Sequence, residues 1–151
     1  MAIAFQYNDG GRARAGYKSR AGDCACRAIA IATEIPYSEA YSIIDNLGRQ
    51  DRLSKRKSHK SSAHTGVYKA TMHRIMKSLG WVWEPCMEIG SGCKVHLRAE
   101  ELPKGRIIVS LSRHFAAVID GVVHDTHDCS RGGTRCVYGF YFKPITGTIE
   151  G

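Results

Sequence analysis

The stretch HFAAVIDGVVHDTHD, residues 114–128, constrains the fold of this chain more than any other. Asp120-Gly121 stands between two apolar, β-branched runs. Both turn residues tolerate the positive φ angles of a two-residue type I′ hairpin. A turn of that length sets the register: Ile119 faces Val122, Ala117 faces His124, Ala116 faces Asp125 and His114 faces His127. Alternate residues of a strand share a face, and opposed residues share it too. His114, Ala116, Asp125 and His127 are therefore predicted on one side of the hairpin. His114 and Asp125 are diagonal neighbours there, and the small Ala116 leaves room between them.

The remaining elements follow from periodicity. RIIVSLS and RCVYGFYF flank the hairpin as further β-branched and aromatic strands. Three helices are predicted upstream. Residues 24–33 bury Ala28, Ile29, Ile31 and Ala32. PYSEAYSIIDNLG places Tyr41, Ile44 and Leu47 at helical spacing and ends on Gly48 as the residue after the helix. GVYKATMHRIMKSLG places Tyr68, Met72, Ile75, Met76 and Leu79 on one side and stops at Gly80. WVWEPCMEIGSGC alternates and then breaks, and LRAEELPKG reads as a turn or short helix. Helices first and strands afterwards argue an α+β fold, with N-terminal helices packed on a C-terminal antiparallel β-meander. Residues 1–22 read as an irregular arm with a short strand at AIAFQY.

At 151 residues, 43% of them hydrophobic, the chain is expected to form a single domain with a real core. No apolar run approaches the roughly 20 residues of a membrane span, and the N-terminus lacks the charge order of a signal peptide. A soluble, cytoplasmic protein is expected, with its six cysteines mostly as free thiols. The net charge of +8 is concentrated in a basic loop over residues 48–64. That loop reads either as a solvated segment or as a patch for nucleic acid or an acidic partner. It has no interleaved aromatics, so base stacking is not supported there.

The hairpin's His and Asp acquire a use through AGDCACRAIAIAT, residues 21–33. Cys24 falls at the first turn of an apolar helix. A thiol there is either a small buried hydrophobe or a nucleophile. A helix N-terminus and a neighbouring imidazolium both favour the thiolate, and the imidazole needs a third group to orient it. Cys24, His114 and Asp125 supply those roles. His114 could instead be an ordinary strand-end histidine and Asp125 a loop cap, while His127 and Asp128 compete for the third role. Cys26 lies about 200° around the helix from Cys24 and is expected to be structural.

The motifs GDCACRAIAIAT, SRHFAAVIDG and VVHDTHD, in this order, resemble the papain-like cysteine peptidase fold, the small C39-like peptidases in particular. The whole is also similar to short, uncharacterised phage-encoded proteins of that fold. The resemblance implies a cysteine peptidase or isopeptidase acting on a protein or peptide, without cofactor or metal, and possible action in a host cell. Cys24 would be nucleophile, His114 base and acid, and Asp125 the orienting carboxylate. Papain-like enzymes place a Gln shortly before the cysteine and an aromatic after it. Here Lys18 stands six residues before Cys24 and Ala25 follows it. The Cys24 N–H supplies one oxyanion donor, and Gln6, Asn8 and Ser19 are the candidates for the second.

Three other readings remain. A non-catalytic binding protein of the same fold would use the basic surface for nucleic acid or an acidic partner. A transferase would keep the thiol chemistry with another acceptor. Structural zinc could be held by Cys86, Cys93, His96, Cys129 and Cys136, although their spacing lacks the tight Cys-x2-Cys of zinc knuckles. The loop CSRGGTRC is expected to connect two strands, with Arg131 and Arg135 facing the cleft to meet an acidic substrate group.

Overall fold

The computed structural model describes residues 3–17, 22–54, 59–88 and 90–144. Apolar periodicity produces three helices: α1 (Cys24–Thr33), α2 (Tyr37–Gly48) and α3 (Lys69–Ser78). The strands are β1 (Ala4–Tyr7), β2 (Val82–Pro85), β3 (Arg106–Leu111), β4 (His114–Ile119), β5 (Val122–Asp125) and β6 (Gly139–Phe142). Short 3-10 turns occur at Ala99–Glu101 and Arg131–Gly133. No described helix is long and apolar enough to cross a membrane.

The fold is α+β, but the sheet is not a simple meander. Its six strands run β1-β5-β4-β3-β6-β2. The expected antiparallel run β3-β4-β5 forms its centre. β6 returns beside β3, β2 pairs with β6 at one edge, and β1 lies parallel to β5 at the other. The short strand expected at AIAFQY forms as β1, and what the expectation lacked is its parallel pairing with β5. A β5 edge would leave a row of unpaired backbone groups, and the N-terminal segment covers it, matching Ala4 with Val122 and Tyr7 with Asp125.

The Asp120-Gly121 turn forms as the dipeptide predicts, with φ of +48° and +77°. Its ladder is Ile119–Val122, Val118–Val123 and Ala117–His124. The predicted pairs Ala116–Asp125 and His114–His127 are not part of that ladder, which ends at Ala117–His124, while Asp125 is still matched with Tyr7 of β1.

Both faces of the sheet are covered. On one, Ala28, Ile29 and Ala32 of α1 join Ile44, Met72, Ile75, Met76, Ile108, Ala117 and Tyr141 in one apolar cluster. On the other, Ile107, Val109, Leu111, Ala116, Val118 and Val123 pack beneath Ile3, Leu97, Leu102, Cys129 and Val137. Burial on both sides explains why β3 reads as an almost unbroken apolar run. The central helix α1 is buried along nearly its whole length, as a helix apolar all round should be.

Gly48 is the last residue of α2 and does not lie beyond it. Its role is close approach: a Cβ there would overlap the Ser61 carbonyl. Gly48→Ala should lower stability by about 1–3 kcal/mol through overpacking, read from the urea midpoint. Ser61 belongs to the far end of the basic loop, which is anchored where it is described. Buried Asp51 accepts from the Ser61 N–H at 2.8 Å and the Thr71 hydroxyl at 2.5 Å, and pairs with Arg74. Residues 55–58, which carry much of the predicted basic patch, lie outside the described residues.

The expectation of free thiols fails at two positions. Cys93 and Cys136 form a disulfide, with Cα atoms 5.8 Å apart. Backbone pairing between His96 and Cys136 brings these two loops together, a juxtaposition that spacing along the chain does not reveal.

Candidate active site

Cys24 is the first residue of α1 and half-buried. The helix begins there because Asp23 precedes it in a non-helical conformation (φ −100°). The Asp23 side chain makes no capping bond to the helix. Its buried carboxylate accepts from Arg27 and from the Tyr37 hydroxyl at 2.6 Å, and forms an ion pair with Arg12 Nε at 3.1 Å. Arg27 lies one helical turn after Asp23, so its other guanidinium nitrogen reaches across to β5. Nη2 donates to Asp125 Oδ1 at 3.1 Å. A chain of alternating charges thus ties the start of α1 to the end of β5.

Asp125 in turn orients His114, the first residue of β4. His114 Nε2 lies 2.6 Å from Asp125 Oδ2. The other carboxylate oxygen accepts from the Thr126 N–H at 2.7 Å as well as from Arg27. The two side chains are 11% and 3% exposed, so their charges are poorly screened and depend on one another.

The electrostatics follow from these contacts. Burial alone pushes the Cys24 thiol up. A hydrogen bond to His114, the His114 charge, the Phe115 backbone N–H and the Arg27 charge outweigh it, and the pKa falls below its ordinary value. Burial would likewise push His114 down. Hydrogen bonds to Asp125, Cys129 and Cys24, with the Cys24 charge, instead raise it to about 11. Asp125 is lowered in the same way, burial being overcome by His114, the Thr126 N–H and Arg27. All three shifts favour the charged forms: thiolate, imidazolium and carboxylate. Cys26 behaves oppositely, as expected for a structural thiol. It is fully buried against the Tyr37 carbonyl, and burial pushes it up to about 12.

Cys24 and His114 open onto a cleft of about 240 Å³. One wall carries Thr65, Gly66, Val67 and Lys69, and the other Leu111, Arg113 and Phe115. A thiolate at the base of such a cleft can attack an electrophilic carbon, and the adjacent imidazolium can protonate the group that leaves.

The structure brings together Cys24, His114 and Asp125. Of the two competitors, it places Asp128 elsewhere and His127 beside the pair, where no hydrogen bond to either is formed. Asp128 accepts from the Ser130 N–H and hydroxyl at 3.0 and 2.7 Å and so caps the following loop. His127 is exposed, its ring centroid 5.4 Å from that of His114. Two oxyanion candidates point away. Gln6 donates to its neighbour's carbonyl, and Asn8 contacts His124 and the Gly10 N–H. Lys18 and Ser19 lie outside the described residues.

The proposed zinc ligands do not converge. Cys93 and Cys136 are bonded to each other, His96 pairs with Glu101, and Cys129 lies beside His114. A different group, His114, Asp125 and His127, presents three ligand atoms within 4.8 Å of one another. A zinc ion could take two imidazoles and a carboxylate there, but only by displacing the proton shared by His114 and Asp125. Arg135 does not face the cleft as expected. It donates to the carbonyls of Cys129 and Ser112 at 3.3 and 2.5 Å, and neither it nor Arg131 lines the cavity.

Sequence reasoning missed Asp23 and Arg27. Their signal was present: an arginine inside the otherwise apolar helix CACRAIAIAT, four residues after an aspartate. A buried guanidinium at that spacing demands a carboxylate. Nothing local signalled Cys129, which reaches His114 through a loop. No protein-family model matches this chain, and no curated protein or solved structure matches it either.

Proposed function

We propose that this chain is a cysteine-dependent hydrolase of papain-like type, a peptidase or isopeptidase. In this reading the Cys24 thiolate attacks an amide carbonyl and forms an S–C bond. His114 gives its proton to the departing amine, then takes one from the water that hydrolyses the acyl-enzyme. Asp125 holds the imidazole in place, and the Cys24 N–H stabilises the oxyanion. The reaction needs no cofactor. The observation that carries the reading is the His114–Asp125 hydrogen bond of 2.6 Å on an imidazole that also engages a half-buried thiol at a helix N-terminus.

The test is alkylation with iodoacetamide across pH, with the modified residue mapped by mass spectrometry. Cys24 should react first, and at a pH below the ordinary thiol value of 9.0. Asp125→Asn removes the main support of the imidazolium. Burial then dominates at His114, the thiolate loses its counter-charge, and labelling at pH 7 should slow about tenfold or more. Equal reactivity of Cys24 and Cys86, or a profile indifferent to Asp125→Asn, would sink the proposal. Salt-sensitive nucleic-acid binding unaffected by Cys24→Ala would favour the binding-protein reading instead.

A further inference from the structure

The cleft above Cys24 carries two cations and, among its described lining residues, no carboxylate. They come from two separate segments. Lys69 opens α3 and is exposed, its ammonium 4.5 Å above the Tyr138 ring. Arg113 is the second residue of the two-residue turn joining β3 to β4, immediately before His114. It is exposed and makes no hydrogen bond or ion pair with a described residue.

Two features set Arg113 apart from an ordinary surface arginine. Its backbone has φ of +57°, a left-handed conformation that favours Gly or Asn and that a long side chain rarely adopts. The turn is also braced: Arg135 Nη2 donates to the Ser112 carbonyl at 2.5 Å, and the Arg135 side chain is committed there and at Cys129. A strained, braced turn thus presents a guanidinium, unpaired among the described residues, on the lining of the cleft that Lys69 also lines.

We infer that Lys69 and Arg113 form a carboxylate-binding pair, so that the substrate is an acidic peptide with Asp or Glu next to the amide that Cys24 attacks. The inference deepens the hydrolase reading and rests on it. A planar guanidinium receives a carboxylate through two parallel hydrogen bonds, and the Lys69 ammonium adds charge without directional demand. His114 as imidazolium adds to the same positive field. A peptide with Lys at that position would meet three cations.

Charged alkylating reagents test this without knowledge of the natural substrate. The rates of Cys24 modification by iodoacetate and by iodoacetamide are measured at about 0.15 M salt, where the Debye length of about 8 Å suppresses the general basic charge. The ratio of the two rates, anionic over neutral, should fall about three- to tenfold in Arg113→Gly and in Lys69→Gln, and further in the double variant. Arg113→Gly suits the left-handed backbone and Lys69→Gln suits a helix, so both variants should fold. Peptide vinyl sulfones with Glu, Gln or Lys beside the warhead should label the native protein in that order of rate, and the double variant should erase the order. Fast reaction of Cys24 with an unchanged ratio, or an order that survives both substitutions, overturns this inference alone. Slow reaction of Cys24 with both reagents overturns the hydrolase reading and this inference with it.

Discussion

Under the proposed hydrolase reading, Cys24→Ala is expected to abolish fast thiol labelling and to cut hydrolysis of an acidic peptide amide by a factor on the order of 10⁴ to 10⁶. That is the range in which loss of a covalent nucleophile falls when the rest of the site is left standing. The same variant should change how stability depends on pH. In the native protein His114 is raised from 6.5 to about 11, so its contribution is whole below pH 6.5 and declines as pH rises towards 11. Cys24 is lowered from 9.0, so its contribution is whole above pH 9.0 and declines as pH falls through the folded value. Between the folded value of Cys24 and pH 9.0 the two slopes oppose each other, and the native stability curve should be flatter there than with the histidine alone. Removing the thiol leaves only the histidine slope, so Cys24→Ala should lose stability steadily from near neutrality upward. Urea unfolding at several pH values reads this directly. A variant curve parallel to the native one would show that thiol and imidazole do not share a proton.

Arg27→Met is expected to be the most damaging single change to stability outside the apolar core. It leaves the space filled but withdraws the cation between Asp23 and Asp125, both nearly fully buried. Breaking a buried pair by removing one partner costs about 3–5 kcal/mol. Asp23 keeps Arg12 and the Tyr37 hydroxyl, and Asp125 keeps His114 and the Thr126 N–H, so about 3 kcal/mol is the expectation. For a chain of this size that is a drop of roughly 6–12 °C in Tm. The pairing of Asp125 with His114 should persist, and with it the preferential labelling of Cys24. If stability is unchanged, the two carboxylates are solvated and the charge chain does not hold α1 to β5. Arg27→Lys should recover only part of the loss, because an ammonium cannot address both carboxylates with a fixed fork.

Much of the site was legible because its members lie in short segments with strong local rules. A Gly-Asp pair before an apolar run marks a helix start and places Cys24 at its first turn. The Asp-Gly turn aligns β4 with β5 and brings His114 near Asp125. The geometric detail behind that prediction was wrong at the open end, where the β4–β5 ladder stops at Ala117–His124, but the proximity survived. Arg27 and Asp23 could have been found from their spacing. The pairing of Cys93 with Cys136 and the approach of Cys129 to His114 could not, since each depends on how two loops fold over the outer face of the sheet.

Local periodicity and turn chemistry were enough to determine the helices, the central hairpin and the three residues that meet at its open end. These are short-range properties, in which each residue's neighbours along the chain limit its conformation. Tertiary structure alone decided that the N-terminal segment closes the sheet as a parallel strand, and that Arg27 bridges two carboxylates. It also decided that the cleft cations are Lys69 and Arg113 where Arg131 and Arg135 had been expected. Those outcomes depend on contacts between segments distant in sequence. Their energies come from shared desolvation and from covering unpaired edges, which no local stretch carries.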